Sequence, residues 1–196
     1  MKHGVSIIGL LNRGFAAYRG FRRDHRGFAA VEMAFIFPVM ILIYFGLVDG
    51  TNLLSAKRKI TLAASTLGDL TTQAPGAITT TDLNDFYEAL QPIMDPFPVS
   101  GMKITIRDYK LSTSGSSADK RWQNSSGGVC GEDATGAQKT EMATKLMTRG
   151  NDVVVASVCA NVQPITGMVL GLSTFHLQSE VMYAPRQSKT LECTNC

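Results

Sequence analysis

The run Phe28–Val48, FAAVEMAFIFPVMILIYFGLV, holds 21 residues and a single charge, Glu32. At about 1.5 Å per residue a helix of that length spans roughly the 30 Å hydrocarbon core of a bilayer, so the run predicts a membrane helix. The rival is a secretory signal peptide. Against it, 27 residues precede the run, which is long for a basic n-region, and no clean small-x-small cleavage site lies just beyond Val48. A retained anchor is the better reading.

The formal charge of +3 hides an asymmetry. Residues 1–27 carry six Lys/Arg against Asp24 alone, net +5, which leaves −2 for everything after Gly27. Positive charge confined to a short head is a topogenic pattern and not a nucleic-acid footprint, so no nucleic-acid partner is expected. Arg13, Arg19, Arg22, Arg23 and Arg26 precede the run, while Lys57, Arg58 and Lys59 follow it. The positive-inside rule then keeps the head cytoplasmic and exports the remainder. The predicted organisation is a basic leader over 1–27, a transmembrane helix over 28–48 and an exported domain over 49–196.

Beyond the run, Leu53, Ala56, Ile60, Ala63, Leu67 and Leu70 recur at spacings of three and four, which continues the helix outward with one apolar stripe. Gly46 and Gly50 are candidate bends, and Gln73–Gly76 ends the helix. A short helix over 81–90 follows the capping run Thr79–Asp82, with Leu83, Phe86, Tyr87 and Leu90 on one face and Pro92, Pro96 and Pro98 as its stop. From Met102 the period becomes two. Met102, Ile104 and Ile106 face one way and Lys103, Thr105 and Arg107 the other, a half-buried strand, and Tyr109 and Leu111 change parity, which suggests a bulge near Asp108. Ser112–Lys120 reads as a turn, Arg121–Gln123 as the start of a return strand and Asn124–Gly136 as a loop. A helix around Gln138–Met147, a buried strand over Asp152–Val162 and a last strand, Phe175–Tyr183, complete the pattern. The fold class is therefore α+β, a single N-terminal transmembrane helix continuing as an amphipathic helix packed on a small antiparallel sheet.

Cys130, Cys159, Cys193 and Cys196 all fall on the proposed exported side, where an oxidising compartment favours disulfides. Four cysteines allow three connectivities; Cys130–Cys159 with Cys193–Cys196 is the preferred one. The terminal CTNC motif is compatible with a tight loop, a pair of tail staples or a metal knuckle. Zinc would need further ligands, and the only histidine on that side, His176, lies in a strand pattern with a structural role, so no metal or cofactor is expected.

The chain has no GxSxG, SxxK or HExxH motif and no phosphate-binding glycine loop, and its histidines are His3, His25 and His176. No catalytic residues are assigned, and no enzyme is expected. The junction at Gly27 is more informative. A carboxylate in a membrane helix costs on the order of 2.5–3.5 kcal/mol at the centre and less near the interface, so Glu32 calls for a partner or a function; the bland reading is that it snorkels.

Gly27, then apolar Phe28, then Glu32 at the fifth position of an apolar helix resemble the type IV prepilin processing signal. The longer string RRDHRGFAAVEMAFIFPVMILIYFGLVDG resembles the TadE/TadG-like pilus-assembly proteins of the tight-adherence system. The resemblance is strongest over residues 20–70 and takes in Pro38, Gly46 and Asp49; the tail Asp152–Arg186 is similar in a less specific way. Met33 stands where an aromatic residue is common in the family, and Cys159-Ala160-Asn161 where tyrosines are frequent. The length favours the TadE type over longer TadG-type members. This resemblance implies a minor pseudopilin, cut by a prepilin peptidase between Gly27 and Phe28. Its partners would be that peptidase, membrane lipid and other pilus subunits, and its roles pilus biogenesis and adhesion. Its implied place is the bacterial inner membrane, N-terminus cytoplasmic and C-terminal domain periplasmic, with possible passage into a surface pilus. The alternative is an uncleaved, membrane-anchored periplasmic or surface binding module.

Overall fold

A computed structural model describes residues 26–97, 101–147, 151–171 and 174–196. Most of the basic leader, and Pro98, lie outside these residues. The chain divides into two units, Met1–Leu47 and Val48–Cys196. In the first, the described residues are one helix with every apolar side chain from Phe28 to Phe45 exposed or nearly so.

Helix α1 runs from Arg26 to Thr72 and continues through Gly46 and Gly50. In the second unit its stripe becomes core: Ala56, Ile60, Ala63, Ala64 and Leu67 are fully buried, while Leu53 and Leu70 at the margins are half-buried. Strand β1 (Ala77–Thr79) leads into α2 (Thr80–Ala89). The predicted cap forms there as a capping box: Thr79 Oγ1 accepts from Asp82 N, and Asp82 Oδ2 accepts from Thr79 N at 2.9 Å. Leu83, Tyr87 and Leu90 are buried on the inner face. Pro92 does not end this helix. It sits in the first turn of a separate short helix, α3 (Gln91–Met94), where proline's missing N–H costs nothing.

Strands β2 (Lys103–Leu111), β3 (Ala118–Ser126), β4 (Val153–Val162) and β5 (Phe175–Tyr183) form an antiparallel sheet in the order β3-β2-β4-β5. Strand β3 begins before Arg121 and runs to Ser126, into the segment expected to be loop. One face of the sheet, with Ile104, Ile106, Val154, Ala156 and Val158, packs on α1, α2 and α3. On the other face Tyr109, Val153 and Val155 meet Ala118, Met142 and Met147. The last two come from helix α4 (Gly136–Glu141), its π-helical continuation Met142–Leu146, and the residue after it. Strand β2 is therefore covered on both sides, not half-buried: Thr105 and Arg107, expected at the surface, are buried.

The bulge lies where the parity change put it. Asp108 pairs with Trp122 but Tyr109 with Lys120, so Arg121 is the extra residue on β3. Helix α5 (Ile165–Leu170) links β4 to β5. A final three-residue strand, β6 (Glu192–Thr194), pairs in parallel with β1, a second small sheet that the sequence pattern did not reveal. Gly68 lets α1 approach β5: a Cβ there would lie 2.5 Å from Cδ2 of the Tyr183 ring.

Candidate functional site

Gly27, Phe28 and Glu32 occupy the first turns of α1, and all three are exposed. Phe28 and Glu32 are four residues apart, hence stacked on one helical face about 6 Å apart along the axis. A Cβ on Gly27 would meet nothing within 4 Å. The Gly27–Phe28 bond lies in the opening turn, where N–H groups lack intrahelical acceptors, so local unwinding into a protease's extended substrate geometry breaks few hydrogen bonds.

The helix bearing them has a stretch of mean hydropathy 2.3 with none of it buried. Phe35 is 76% exposed and Leu47 67%. A core helix of a water-soluble domain would be covered, whereas a helix apolar on all sides and bare needs lipid or other helices around it. Pro38 sits inside this stretch.

Residues 27–67 match the model of the TadE-like protein family. The matched stretch begins at the expected processing glycine and covers the apolar run and the buried stripe of α1. No curated protein and no solved structure matches the chain. The TadE-like segment thus couples an apolar helix to a packed one, and membrane anchoring and association with the tight-adherence pilus follow from that pairing.

Asp49, just past the apolar run of the TadE-like segment, has a role that its sequence position only hinted at. Its carboxylate accepts from Ile165 N at 2.7 Å, Thr166 N at 2.8 Å and Thr166 Oγ1 at 2.5 Å, which caps α5. The Thr166 hydroxyl, with these backbone donors, holds the Asp49 carboxyl below its ordinary value of 3.8.

The cysteines come together as two pairs, Cys130 with Cys159 and Cys193 with Cys196. The first fastens the 127–135 loop to β4, and Arg107 holds the same loop from below. Arg107 donates through Nη2 to Cys130 O (3.0 Å) and Gly131 O (2.8 Å) and through Nη1 to Ser157 Oγ (3.2 Å), while its Nε lies 3.2 Å from Asp133 Oδ1. Lys120, donating to Asp133, holds that carboxyl below the usual range, and Arg107 adds to the effect. This polar clamp is the second layer over β2. An Arg that alternates with apolar residues looks like a surface residue, and only the neighbouring Cys130 signals a covering loop.

A second buried cluster, also missed from sequence, follows from the bulge. Arg121, displaced by it, reaches Asp152 at 3.2 Å and Asp108 at 3.8 Å. Asp152 also accepts from Leu191 N at 3.0 Å. Asp108 is fully buried and neither of its oxygens has a hydrogen-bond partner. Burial, with the Asp152 charge beside it and Arg121 only partly opposing, pushes Asp108 up to about 8. Burial raises Asp152 as well, against the Leu191 N–H and the Arg121 charge.

Among the described residues no group of three or more His, Cys, Asp or Glu is placed to hold a metal ion. His176 is exposed on β5, its Nδ1 2.9 Å from Asn161 Oδ1. An open cleft of about 590 Å³ is lined by Tyr87, Glu88, Gln91, Met102, Ile104 and Gly127, among others. Burial raises the Tyr87 hydroxyl, leaving it a neutral donor to Asn124 Oδ1.

Proposed function

We propose that this chain is a minor pseudopilin of a tight-adherence pilus, anchored by residues 28–48 and cut by a prepilin peptidase after Gly27. The observation that carries the reading is the placement of Gly27, Phe28 and Glu32 at the head of a bare apolar helix inside the TadE-like match. Before cleavage, the basic leader holds the protein to the anionic cytoplasmic leaflet, each Lys or Arg near the surface contributing about 1 kcal/mol. Cleavage removes that hold and creates an α-amino group on Phe28. One helical turn away, the Glu32 carboxylate can pair with it, within one chain or between neighbours. Uncompensated charge in low dielectric is costly, so the pair favours a packed helical bundle in a defined register. Residues 49–196 then form a periplasmic domain stapled by Cys130–Cys159 and Cys193–Cys196, with pilus biogenesis and adhesion as its setting.

The test is the N-terminus of the protein recovered from membranes of cells with an active prepilin peptidase. Intact mass and N-terminal sequencing should find Phe28 first, and Gly27→Asp should leave the leader in place. Glu32→Gln should be cleaved normally yet reduce co-purification with pilus subunits and surface piliation. Full-length protein alone, with normal membrane retention, would favour the uncleaved binding module.

A further inference from the structure

Helix α5 and the strand after it lie close to the end of the apolar run by two independent routes. By the first, Asp49 follows Val48 directly in the chain, and its carboxylate receives the backbone N–H groups of Ile165 and Thr166. By the second, β5 runs alongside α1 in the same direction: Lys57 Nζ donates to Gln178 O, Ser179 Oγ lies 3.3 Å from Thr61 Oγ1, and the ring of Tyr183 faces Gly68. Stepping back four residues from Ser179 to Phe175 covers about 14 Å of strand, equivalent to about nine residues of helix, which brings Phe175 level with about Asn52. Ile165 and Phe175 thus both stand within roughly one helical turn, about 5 Å, of Asp49 along α1.

The segment so placed is unusually apolar. Between Pro164 and Phe175 there is no charged residue, and Ile165, Met168, Val169, Leu170, Leu172 and Phe175 make up half of it. Ile165 is 45% exposed and Phe175 46%. The carboxylate beneath it is the only charge this end of α1 brings, and three donors satisfy it. The basic group Lys57–Lys59 lies further along the helix, where Lys57 and Lys59 donate to the carbonyls of Gln178, Ile93 and Asp95. The polar zone of a bilayer adds some 5–8 Å to each side of its hydrocarbon core. Side chains within one turn of the apolar run therefore fall inside it.

We infer that residues 164–175 are a lipid-contacting foot, seated in the headgroup region of the leaflet beside the domain, with Ile165 and Phe175 inserted. The inference rests on the reading of 28–48 as a membrane span. It gives the domain a second attachment, which fixes its orientation on the bilayer as the single helix alone would not.

The test reconstitutes the full chain in phosphatidylethanolamine/phosphatidylglycerol vesicles, with and without lipid brominated on the acyl chain, and reads tryptophan emission. Trp122, the one native Trp, is the background. Phe175→Trp and Ile165→Trp should each lose more emission to bromine than the unsubstituted protein and less than Phe35→Trp, in the apolar run. Strong quenching of Phe35→Trp with both foot variants no more quenched than background would overturn the foot and leave the anchor standing. A blue-shifted but unquenched Phe175→Trp, as under a second copy of the chain, would overturn it too. An unquenched Phe35→Trp would remove the membrane span and the foot together.

Discussion

Replacing Asp108 by Asn should remove a pH dependence from the stability of the exported domain. Folding buries this carboxyl without a hydrogen bond, and the folded protein holds its proton up to about pH 8, against an ordinary value of 3.8. A carboxyl whose folded-state value is raised contributes most below the unfolded value and loses that contribution as pH climbs toward the folded one. The window is therefore pH 4 to 8, with a slope of about 1.4 kcal/mol per pH unit. Between pH 5 and pH 7 the native protein should lose about 3 kcal/mol from this residue, a large share of a typical domain's stability. Asn has the shape of the neutral acid and cannot ionise, so Asp108→Asn should differ from the native chain by an amount that grows by about 3 kcal/mol over the same interval. Groups that Asp108→Asn leaves alone cancel in the difference. The assay is guanidinium unfolding of the full chain in detergent at several pH values, followed by Trp122, which pairs with Asp108 across β2 and β3. A stability difference that does not change with pH would refute the argument, and would mean that Asp108 is ionised and paired with Arg121 throughout.

Gly68→Ala should destabilise the domain although alanine is the better helix former by about 1 kcal/mol, because its Cβ collides with the Tyr183 ring at the closest point of α1 and β5. Adding Tyr183→Leu should restore part of the loss in a thermal melt. Cys130→Ser with Cys159→Ser should cost about 3–4 kcal/mol by the loop-entropy argument for a separation of 29 residues, and should raise protease cleavage within 127–135 before the rest of the domain. Asp49→Ala should accelerate hydrogen exchange at Ile165 and Thr166 selectively. Because hydrogen bonding lowers the Asp49 carboxyl, its contribution in the native chain should persist at neutral pH and fail only as pH falls below about 3.8.

Local patterns were the most legible in the sequence. The apolar run, the three-four stripe of α1, the Thr79–Asp82 cap and the valine-rich β4 each carry their signal within a few consecutive residues, and the parity change at Tyr109 located a bulge. The features that escaped depend on residues distant in the chain. Arg107 alternates as a solvent-facing residue would, and it is buried because a loop some twenty residues on folds over it. Pro92 is a stop signal and a start signal alike, and the chain around it decides which. The three-residue strands β1 and β6 are too short to show a period, and their parallel pairing spans most of the domain. The motif at Gly27, Phe28 and Glu32 is compact, so it could be named from sequence; the Asp108–Arg121–Asp152 cluster could not, since Arg121 is aimed by a bulge and Asp152 arrives from another strand.

The tail of the domain closes on the end of α1. Arg186 N donates to Thr72 O, Glu192 N to Gly76 O, Ile78 pairs with Cys193, and Leu191 fills the core between them. This imposes an order of events on export. The apolar run enters the bilayer early, while the packing that locks α1 waits for a segment translated long afterwards, so the emerging domain stays open through most of its passage. A tag or stalled chain that withholds residues 186–194 should therefore strand an inserted, unfinished protein, and a periplasmic chaperone or thiol oxidase would meet that open form before the closed one.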